Sequence, residues 1–488
     1  MREIHMPDER PNIILILTDQ ERYDTIGALG YPWMKTPNLD RLVNEGVAFT
    51  KCYCTAPSCV PSRASFFNLQ YPHDMGVYDN SFEWRTSWVE WLRDSGYFTV
   101  NIGKMHTVPN DAECGFDKRF VVENKDRPHC DSFFYDEWDK FLRSSGQRKP
   151  SRWHYREEHP EYNSRLGAFT WPLEDQYHPD VFVGTMARWF LEEEEEDKPL
   201  FLQVGFPGPH PPYDPPERYL RMYDDVDIPV PEIDDEDLAL QHVQHNAYRR
   251  EMIDGNHDAV KWNERPTKEQ LLRLRRHYAA NMTLIDDEIG KILDLLEKKG
   301  RLENSIVVFT SDHGDCLGDH NHIQKWTMYE EIVRVPTVAW SPGNLPAGKK
   351  VDGLVQQFDI AQMLLDMAGV ETPEFNHAIS PMPMITDNAP GRDAVFAEHS
   401  VTPHMREISI ETMIRTENWK LVHCLDRKFG ELYDLENDPR EVRNAWDNPE
   451  YADMKHELLD MIRDWRIRLP DPMAKRLHHY AQVWRENK

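Results

Sequence analysis

Residues 12–20, NIILILTDQ, form an apolar run that ends directly in Asp19 and Gln20. Short runs of this kind, bounded by polar residues, are typical of buried strands. Ligands collect at the carboxyl ends of strands in open parallel sheets, so polar residues at this position predict a site. Three further runs end in the same way: 98–102 with Lys104 and His106, 200–206 with His210, and 305–311 with Asp312 and His313. Together the four runs predict one site, assembled at a single edge of a sheet.

Strand-like and helix-like segments alternate from residue 11 to about residue 385. The longest predicted helix covers residues 266–299, where apolar residues recur at steps of three and four. Thr267 and Gln270 fit a capping box at its start, and Gly300 stands where a C-cap is expected. A short loop joins this helix to the strand at 305–311, a connection typical of a doubly wound sheet. The pattern predicts an α/β fold with a large, mostly parallel central sheet flanked by helices.

After residue 385 the predicted elements become short and consecutive. Short strands in series, packed by one helix, are typical of a small antiparallel α+β unit. We therefore expect a main α/β region at 1–385, with an aromatic-rich insertion at about 120–180, and a C-terminal subdomain at 386–488. The predicted strands cover 394–398, 407–415, 420–425 and 431–434, and the predicted helix covers 451–466.

The tail at 469–488 contains Tyr480 and Trp484 but has no partner within its own predicted core. Large aromatic side chains of this kind are normally buried against another surface. We therefore expect the tail to pack on another subunit, in a homo-oligomer that is a dimer or a tetramer.

The formal net charge is −28, with 85 acidic against 57 basic residues in 488. Nucleic acids and anionic membrane surfaces would repel such a chain, so neither is an expected partner. No stretch reaches the ~20 apolar residues that cross a bilayer, and the acidic N-terminus lacks the pattern of a secretory signal. The seven cysteines are odd in number and scattered, without paired metal-site spacing. These features favour the reducing cytoplasm.

The two pairs Asp19-Gln20 and Asp312-His313 each follow a predicted strand. A single aspartate at a strand end is usually a turn residue, but two such pairs on neighbouring strands also suit a divalent ion. Oxygen donors dominate, which favours a hard ion such as Ca²⁺, Mg²⁺ or Mn²⁺, and the nitrogen of His313 favours Mn²⁺ among these.

Cys59 begins the segment CVPSR, which ends at Arg63. A lone cysteine at the start of a helix is ordinarily a small buried residue, but this five-residue pattern is far more specific. The chain resembles the sulfatases of the alkaline phosphatase superfamily, whose signature is C/S-x-P-S-R. The resemblance extends in the family's order over DQ at 19–20, GYFTVNIGKMH at 96–106, HPPY at 210–213, SDHGD at 311–315, QKWTMYEEIVRVP at 324–336, WKLV at 419–422 and ELYDLENDP at 431–439.

This resemblance implies an alkaline phosphatase-like fold and hydrolysis of a sulfate monoester. It implies that Cys59 is oxidised to Cα-formylglycine by a formylglycine-generating enzyme or an equivalent partner. One hydroxyl of the hydrated aldehyde then attacks sulfur and displaces the alcohol. The second hydroxyl loses its proton, the hemiacetal collapses and sulfate leaves, a step that a plain cysteine or serine cannot perform.

The resemblance also implies roles for individual residues. Arg63 matches the arginine that orients the formylglycine, and Asn80 matches a substrate-contacting asparagine. The metal ligands would be Asp19, Gln20, Asp312 and His313, together with the modified Cys59, around one Ca²⁺ or Mn²⁺ ion. The catalytic and sulfate-binding groups that stabilise charge and protonate the leaving oxygen would be Lys104, His106, His210 and Lys325.

The sequence departs from the family's usual pattern at three places. Most sulfatases have Asp-Asp and Asp-Asn where this chain has its two metal-ligand pairs, and Gln20 with His313 looks more like the phosphonate monoester hydrolase and choline sulfatase branches. The identity of the metal therefore stays open. The common T-G-R-x-P segment is replaced by NLQYP at 68–72.

Three functions remain open from the sequence. The first is hydrolysis of an aryl or other small organic sulfate, and the second is hydrolysis of a phosphonate monoester or phosphate diester by the same groups. Lys104 and His106 favour sulfate, because the phosphonate branch has hydroxyl-bearing residues there. The third is a binding protein in which Cys59 stays unmodified. The aromatic residues that would either line a leaving-group pocket or simply pack are Trp138, Trp153, Tyr155, Trp171 and Tyr213.

Overall fold

The computed structural model describes residues 10–123, 134–373, 376–400 and 405–467. The predicted oligomerisation tail at 469–488 lies outside the described residues, as does Cys130. The described cysteines are all buried and unpaired. Within the same ranges, no helix combines the length and the apolarity needed to cross a bilayer.

The described chain contains fifteen strands and fifteen α-helices. The strands are β1 (Asn12–Asp19), β2 (Val47–Phe49), β3 (Cys52–Tyr53), β4 (Phe98–Gly103), β5 (Lys118–Val121), β6 (Leu200–Pro209), β7 (Ser305–Ser311), β8 (Arg334–Val335), β9 (Thr337–Trp340), β10 (Lys349–Val351), β11 (Val355–Gln356), β12 (Val395–Ser400), β13 (Ile410–Arg415), β14 (Trp419–Cys424) and β15 (Gly430–Asp434). The helices are α1 (Pro37–Glu45), α2 (Cys59–Asn68), α3 (Pro72–Met75), α4 (Val89–Asp94), α5 (Glu137–Ser144), α6 (Arg152–Glu158), α7 (Pro179–Glu193), α8 (Glu217–Arg221), α9 (Asp235–Leu240), α10 (Val243–Asp254), α11 (Lys268–Lys298), α12 (Glu330–Val333), α13 (Gln357–Met367), α14 (Met382–Thr386) and α15 (Ala452–Ile467).

Eight strands form the central sheet in the order β10-β2-β9-β7-β1-β6-β4-β5. The pairs on both sides of β1 are parallel, as are β6 with β4 and β4 with β5. β9 pairs antiparallel with both of its neighbours, so it alone opposes the direction of the other strands in this sheet. The expected large, mostly parallel sheet is confirmed. Its arrangement brings the carboxyl ends of β7, β1, β6 and β4 to one edge.

Alternating side chains of β1 serve two hydrophobic cores, one on each face of the sheet. Ile13, Leu15 and Leu17 pack in the core that also contains α2 and α13. Ile14 and Ile16 pack in the core that contains the long helix α11. The near-continuous apolar run at 12–17 is therefore explained by burial on both faces, as expected for a strand in the middle of a parallel sheet.

The predicted capping box of α11 is confirmed. The backbone N–H of Gln270 donates to Thr267 Oγ1 at 3.3 Å, and the N–H of Thr267 donates to Gln270 Oε1 at 2.9 Å. Gly300 follows the helix with a φ of 65°, the left-handed conformation typical of a helix C-terminus. Local sequence signals alone were sufficient to place both ends of this helix within two residues.

The C-terminal residues form a separate four-stranded antiparallel sheet in the order β12-β13-β14-β15, as expected. Leu458 and Ile462 of α15 pack in the same hydrophobic core as the inner face of this sheet and one face of the central sheet. The C-terminal unit therefore shares a core with the main region.

Gly103 and Gly205 allow β4 and β6 to approach closely just before the predicted site. A Cβ atom on Gly205 would lie 2.0 Å from the carbonyl oxygen of Lys104 and 2.7 Å from its nitrogen. Contacts this short cannot be relieved by rotating a flexible side chain, since both atoms belong to the backbone. These glycines therefore fix the position at which Lys104 leaves the sheet.

We expect Gly205→Ala to destabilise the protein by about 3 kcal/mol, because overpacking against backbone forces the two strands apart. Gly369→Ala is the control, since Gly369 has a φ of 65° and no atom within 4 Å of an added Cβ. That control carries only left-handed backbone strain, about 1–2 kcal/mol. Thermal midpoints measured at one scan rate compare the two variants, and equal midpoints would refute the steric argument.

Candidate active site

Cys59 lies at the centre of the group that the strand ends bring together. Its Sγ lies 2.9 Å from Lys325 Nζ, 3.2 Å from His313 Nε2 and 3.5 Å from Asp19 Oδ1. Cys59 is also the first residue of α2, and the unpaired backbone N–H groups of a helix N-terminus favour an anion nearby. Residues from three distant parts of the sequence therefore converge on one sulfur atom.

Arg63, one turn further along α2, ties this helix to three strand ends. Its Nε donates to Asp312 Oδ2 at 2.7 Å, Nη1 donates to the carbonyl of Lys104 at 3.0 Å, and Nη2 donates to the carbonyl of Thr18 at 3.2 Å. The side chains of Arg63 and Asp312 are both completely buried. The guanidinium therefore acts here as a structural fork, at the ends of β7, β4 and β1.

Asp19 is held ionised by surrounding cations. Burial alone would raise its pKa, but nearby positive groups, of which Lys104 contributes most, lower the pKa well below its usual range. Lys104 Nζ donates directly to Asp19 Oδ2. For the Cys59 thiol, burial and then the charge of Asp19 raise the pKa to about 12. At neutral pH the site therefore contains a carboxylate beside an un-ionised thiol.

His313 presents one ring nitrogen to the site. Its Nδ1 lies 2.9 Å from the carbonyl oxygen of Gly314, an acceptor, so Nδ1 carries the proton and Nε2 carries the lone pair. Burial lowers the pKa of His313, which keeps the ring neutral. The lone pair of Nε2, 3.7 Å from Asp312 Oδ1, is therefore available to bind an electrophile such as a metal ion.

Gln20 is positioned by contacts on both its backbone and its amide. Its N–H donates to Asp312 Oδ1 at 3.0 Å, and its Nε2 donates to Asp315 Oδ2 at 2.7 Å. Asp315 Oδ2 also accepts from the hydroxyl of Tyr213 at 2.6 Å. Because the amide nitrogen is fixed by Asp315, Gln20 Oε1 faces away from that carboxylate. This oxygen is buried without a hydrogen-bond partner.

These donors fit a divalent metal ion. Ligand atoms of Asp19, Cys59, Asp312 and His313 all lie within 4.8 Å of one another, and all four residues are buried. A buried carbonyl oxygen without a partner, such as Gln20 Oε1, is unusual in a folded protein and is explained if a cation accepts its lone pair. Three oxygen donors with one imidazole suit Ca²⁺ or Mn²⁺ better than a thiophilic ion.

His210 is buried and His106 is partly buried, and both lie near the same cations. His210 Nδ1 lies 2.8 Å from the carbonyl oxygen of Pro211, and its Nε2 lies 3.6 Å from Asp258 Oδ2. Burial, followed by the charge of Lys325, lowers the pKa of His210 well below its usual range. Burial, followed by the charge of Lys104, does the same to His106. Both rings are therefore neutral before an anion enters.

Asn80 contacts the segment that carries Cys59. Its Oδ1 accepts hydrogen bonds from Ser58 Oγ and from the backbone N–H of Val60, both at 3.0 Å. These bonds satisfy two donors at the N-terminus of α2, so Asn80 helps to fix the position of Cys59.

Four of the five aromatic residues named from the sequence are buried. Trp138 packs against Trp171, and Tyr155 stacks on Phe169 with ring centroids 4.4 Å apart. Tyr213 is also buried and bonds to Asp315, as described above. Trp153 is 61% exposed. Ordinary packing therefore explains the presence of Trp138, Tyr155, Trp171 and Tyr213.

Sequence reasoning missed two carboxylates of this region. Asp258 is almost completely buried, with His257 Nδ1 at 2.8 Å and His210 near it. It lies in an irregular, Pro- and Asp-rich segment that offered no periodic signal. Asp315, which orients Gln20, stands within SDHGD at 311–315, so a signal for it was present in the sequence.

We expect Arg63→Lys to destabilise the protein by about 3 kcal/mol or more, because Asp312 and two carbonyl groups lose buried donors that a single ammonium cannot replace. The control is Arg85→Lys, since Arg85 and its partner Glu83 are 59% and 68% exposed. An exposed pair of this kind contributes about 0–1 kcal/mol. Chemical denaturation of both variants against wild type measures the difference, and similar losses would contradict the role of the fork.

Comparison with known proteins gives relatives that span nearly the whole chain. An arylsulfatase of Clostridium perfringens is 32% identical over 467 residues, 93% of this chain and 93% of its own. A choline-sulfatase of Rhizobium meliloti is 29% identical over 94% of this chain and 87% of its own. The crystal structure of phosphonate monoester hydrolase of Agrobacterium radiobacter superposes with a TM-score of 0.75 at 26% identity, covering 94% of this chain and 95% of that one.

Two family models match the chain. The one described as Sulfatase covers residues 11–370, and the one described as N-sulphoglucosamine sulphohydrolase, C-terminal, covers residues 318–468. The first includes Cys59 and every strand end around it, and the structural match confirms the alkaline phosphatase-like α/β fold. The chain therefore belongs to the sulfatase family of the alkaline phosphatase superfamily and is a sulfuric ester hydrolase.

Proposed function

We propose that this sulfatase hydrolyses an aryl or other small organic sulfate, using a formylglycine made from Cys59 and one divalent metal ion. The observation that carries the proposal is the convergence of Lys325, His313 and Asp19 on Cys59 Sγ inside a buried site. The similarity to an arylsulfatase supports the aryl class of substrate.

A plain thiol does not suit the chemistry. With a pKa of about 12, raised by burial and then by Asp19, the Cys59 thiol is neutral at physiological pH and a weak nucleophile. The hydrate of an aldehyde at residue 59 would supply both the attacking hydroxyl and the second hydroxyl needed to release sulfate. The attacking oxygen would then stand near the position that Cys59 Sγ occupies. Maturation by a formylglycine-generating enzyme or an equivalent is therefore part of the proposal.

The metal would be held by Asp19, Gln20, Asp312 and His313, with residue 59 completing the set. When bound, a divalent ion would supply positive charge that lowers the pKa of the attacking hydroxyl and neutralises the sulfate. Arg63 holds Asp312 in place through the 2.7 Å bond. We propose Ca²⁺ or Mn²⁺ as the ion.

The cationic side chains would bind the sulfate group and stabilise the charge that develops during transfer. Lys325 Nζ, 2.9 Å from Cys59 Sγ, can donate to a sulfate oxygen and to residue 59 at once. Lys104 Nζ pairs with Asp19 Oδ2 in the same site. Preorganised donors in a dry site need no rearrangement as charge develops, so they lower the barrier.

His210 is our candidate for the proton donor to the leaving alcohol. Its pKa is depressed by burial and then by Lys325, but a bound anion favours the protonated ring. The ring would then carry the proton only while substrate is present. His106 and Asn80 complete the proposed set. His106 would contact the sulfate group, and Asn80 would contact the substrate while its hydrogen bonds fix the start of α2.

A second candidate function is hydrolysis of a phosphonate monoester or a phosphate diester. The superposition on a phosphonate monoester hydrolase favours it, since the two folds share 94% of this chain. The hydrolysis of sulfate esters and of phosphonate esters passes through anionic transition states of similar shape, so one site can act on both. Lys104 and His106 after Gly103 make sulfate the better match.

We expect Cys59→Ala to lower the turnover of an aryl sulfate by about 10⁴-fold or more, since no other group supplies the nucleophile. Cys424→Ala is the matched control, because Cys424 is equally buried but lies in the C-terminal sheet. Intact mass spectrometry of active wild-type enzyme should show the mass of an aldehyde at residue 59. Full turnover by Cys59→Ala, or active enzyme with a free thiol at 59, would overturn the proposal.

We expect wild type to prefer an aryl sulfate over the corresponding aryl phosphonate monoester in parallel measurements of kcat/KM. Lys104→Ser should lower kcat/KM for the sulfate by about 10²-fold or more and lower that for the phosphonate less, because one donor to the anion is lost. Lys118→Ser, at an exposed position of β5, should change neither. A large preference of wild type for the phosphonate would instead establish the second candidate function.

A further inference from the structure

A second cluster of metal-ligating side chains lies outside the site described above. His242 immediately precedes α10, His245 lies in its first turn, and Glu431 lies on β15. The two Nε2 atoms lie 2.9 and 2.6 Å from the same oxygen, Glu431 Oε1. Ligand atoms of all three residues lie within 4.8 Å of one another, and all three residues are buried.

The second carboxylate oxygen of Glu431 lacks a hydrogen-bond partner, which is a separate indication of a bound cation. Glu431 is 2% exposed, and its Oε2 is buried without a hydrogen-bond partner. A buried carboxylate that leaves one oxygen unsatisfied is costly, because both the charge and the lone pairs have lost water. A cation at this position would remove both costs.

The other ring nitrogen of His245, Nδ1, has two polar neighbours that fix the orientation of the ring. Its Nδ1 lies 3.3 Å from His322 Nε2 and 3.3 Å from the hydroxyl of Tyr329. A ligating histidine is commonly oriented by a hydrogen bond to its second ring nitrogen, and His322 and Tyr329 would orient His245 in this way.

We propose that His242, His245 and Glu431 bind a zinc-class transition metal ion that joins α10 of the main region to β15 of the C-terminal sheet. Two imidazole nitrogens and a carboxylate form a donor set typical of Zn²⁺, with a water molecule or Glu431 Oε2 as the fourth ligand. Zinc–ligand bonds of about 2.0–2.1 Å separate neighbouring ligand atoms by roughly 3.3 Å. Binding therefore requires the His242 and His245 rings to move away from Glu431 Oε1 by roughly 0.4 and 0.7 Å, respectively.

The two metal sites differ in their donors, and the test uses this difference. The site at Cys59 is rich in oxygen and suits a hard ion, whereas the second cluster is rich in nitrogen. Wild-type protein is stripped of metal, saturated with Ca²⁺, and then equilibrated with Zn²⁺ in slight excess. Bound zinc per chain is counted by elemental mass spectrometry after removal of free metal.

We expect wild type to retain one zinc per chain more than Glu431→Gln or His245→Gln. Glu398→Gln is the matched control, because Glu398 is a buried glutamate bonded to a histidine, His73, through a 2.6 Å contact elsewhere. It should retain as much zinc as wild type. Equal zinc in wild type and Glu431→Gln would overturn the proposal and leave a metal-free His–Glu–His bridge.

A measurement on wild type alone keeps the test valid if the variants fail to fold. Crystals of the zinc-loaded wild-type protein are measured on both sides of the zinc absorption edge. An anomalous peak between His242, His245 and Glu431 supports the site. Absence of a peak there overturns it, whatever ion occupies the site at Cys59.

Discussion

The buried fork of Arg63 is the interaction on which the rest of the site depends. One guanidinium joins the second turn of α2 to the carboxylate of Asp312 and to the carbonyl groups of Thr18 and Lys104 at the ends of β1 and β4. Removing two charges from water is expensive, and the cost of burying the pair is offset by an acceptor for each of the three guanidinium nitrogens. Arginine can satisfy three acceptors in fixed directions, which lysine cannot do. The position of Cys59 relative to the strand ends follows from this geometry.

The fixed backbone brings oppositely charged side chains together in a buried site, such as Lys104 and Asp19. The whole chain carries a net charge of −28, yet Cys59 is surrounded by Lys325, Lys104 and Arg63 as well as by carboxylates. Asp19 remains ionised because of these cations, and the pKa of Lys325 is raised, despite its burial, by Cys59 and then by Asp19. An anionic ester would therefore meet the side chains of Lys325 and Lys104 beside Cys59, although the chain as a whole is acidic.

The sequence predicted those parts of the fold that local patterns encode. Apolar runs gave the central strands, and the capping box with Gly300 gave the ends of α11 within two residues. It did not predict how Gln20 is oriented, because that depends on Asp315 and Tyr213 meeting across the fold. Asp258 lies in an irregular segment, His242 and His245 lie at the start of α10, and Glu431 is 186 residues from His245. Contacts of that kind arise from tertiary packing, which no single-sequence periodicity records.

The C-terminal sheet also contributes to the geometry around Cys59. Lys420 of β14 donates to the carbonyl of Met328 at 2.9 Å and bonds to Glu330, so it holds the segment that follows Lys325. Glu441 accepts from the N–H of Glu330 at 2.7 Å. These groups are almost completely buried, so their bonds are not exchanged with water, and the segment has little freedom to move. Lys325 is therefore positioned from two sides, by the start of α2 through Cys59 and by the C-terminal sheet through Lys420. The hydrophobic core that the C-terminal sheet shares with the main region keeps these two supports together.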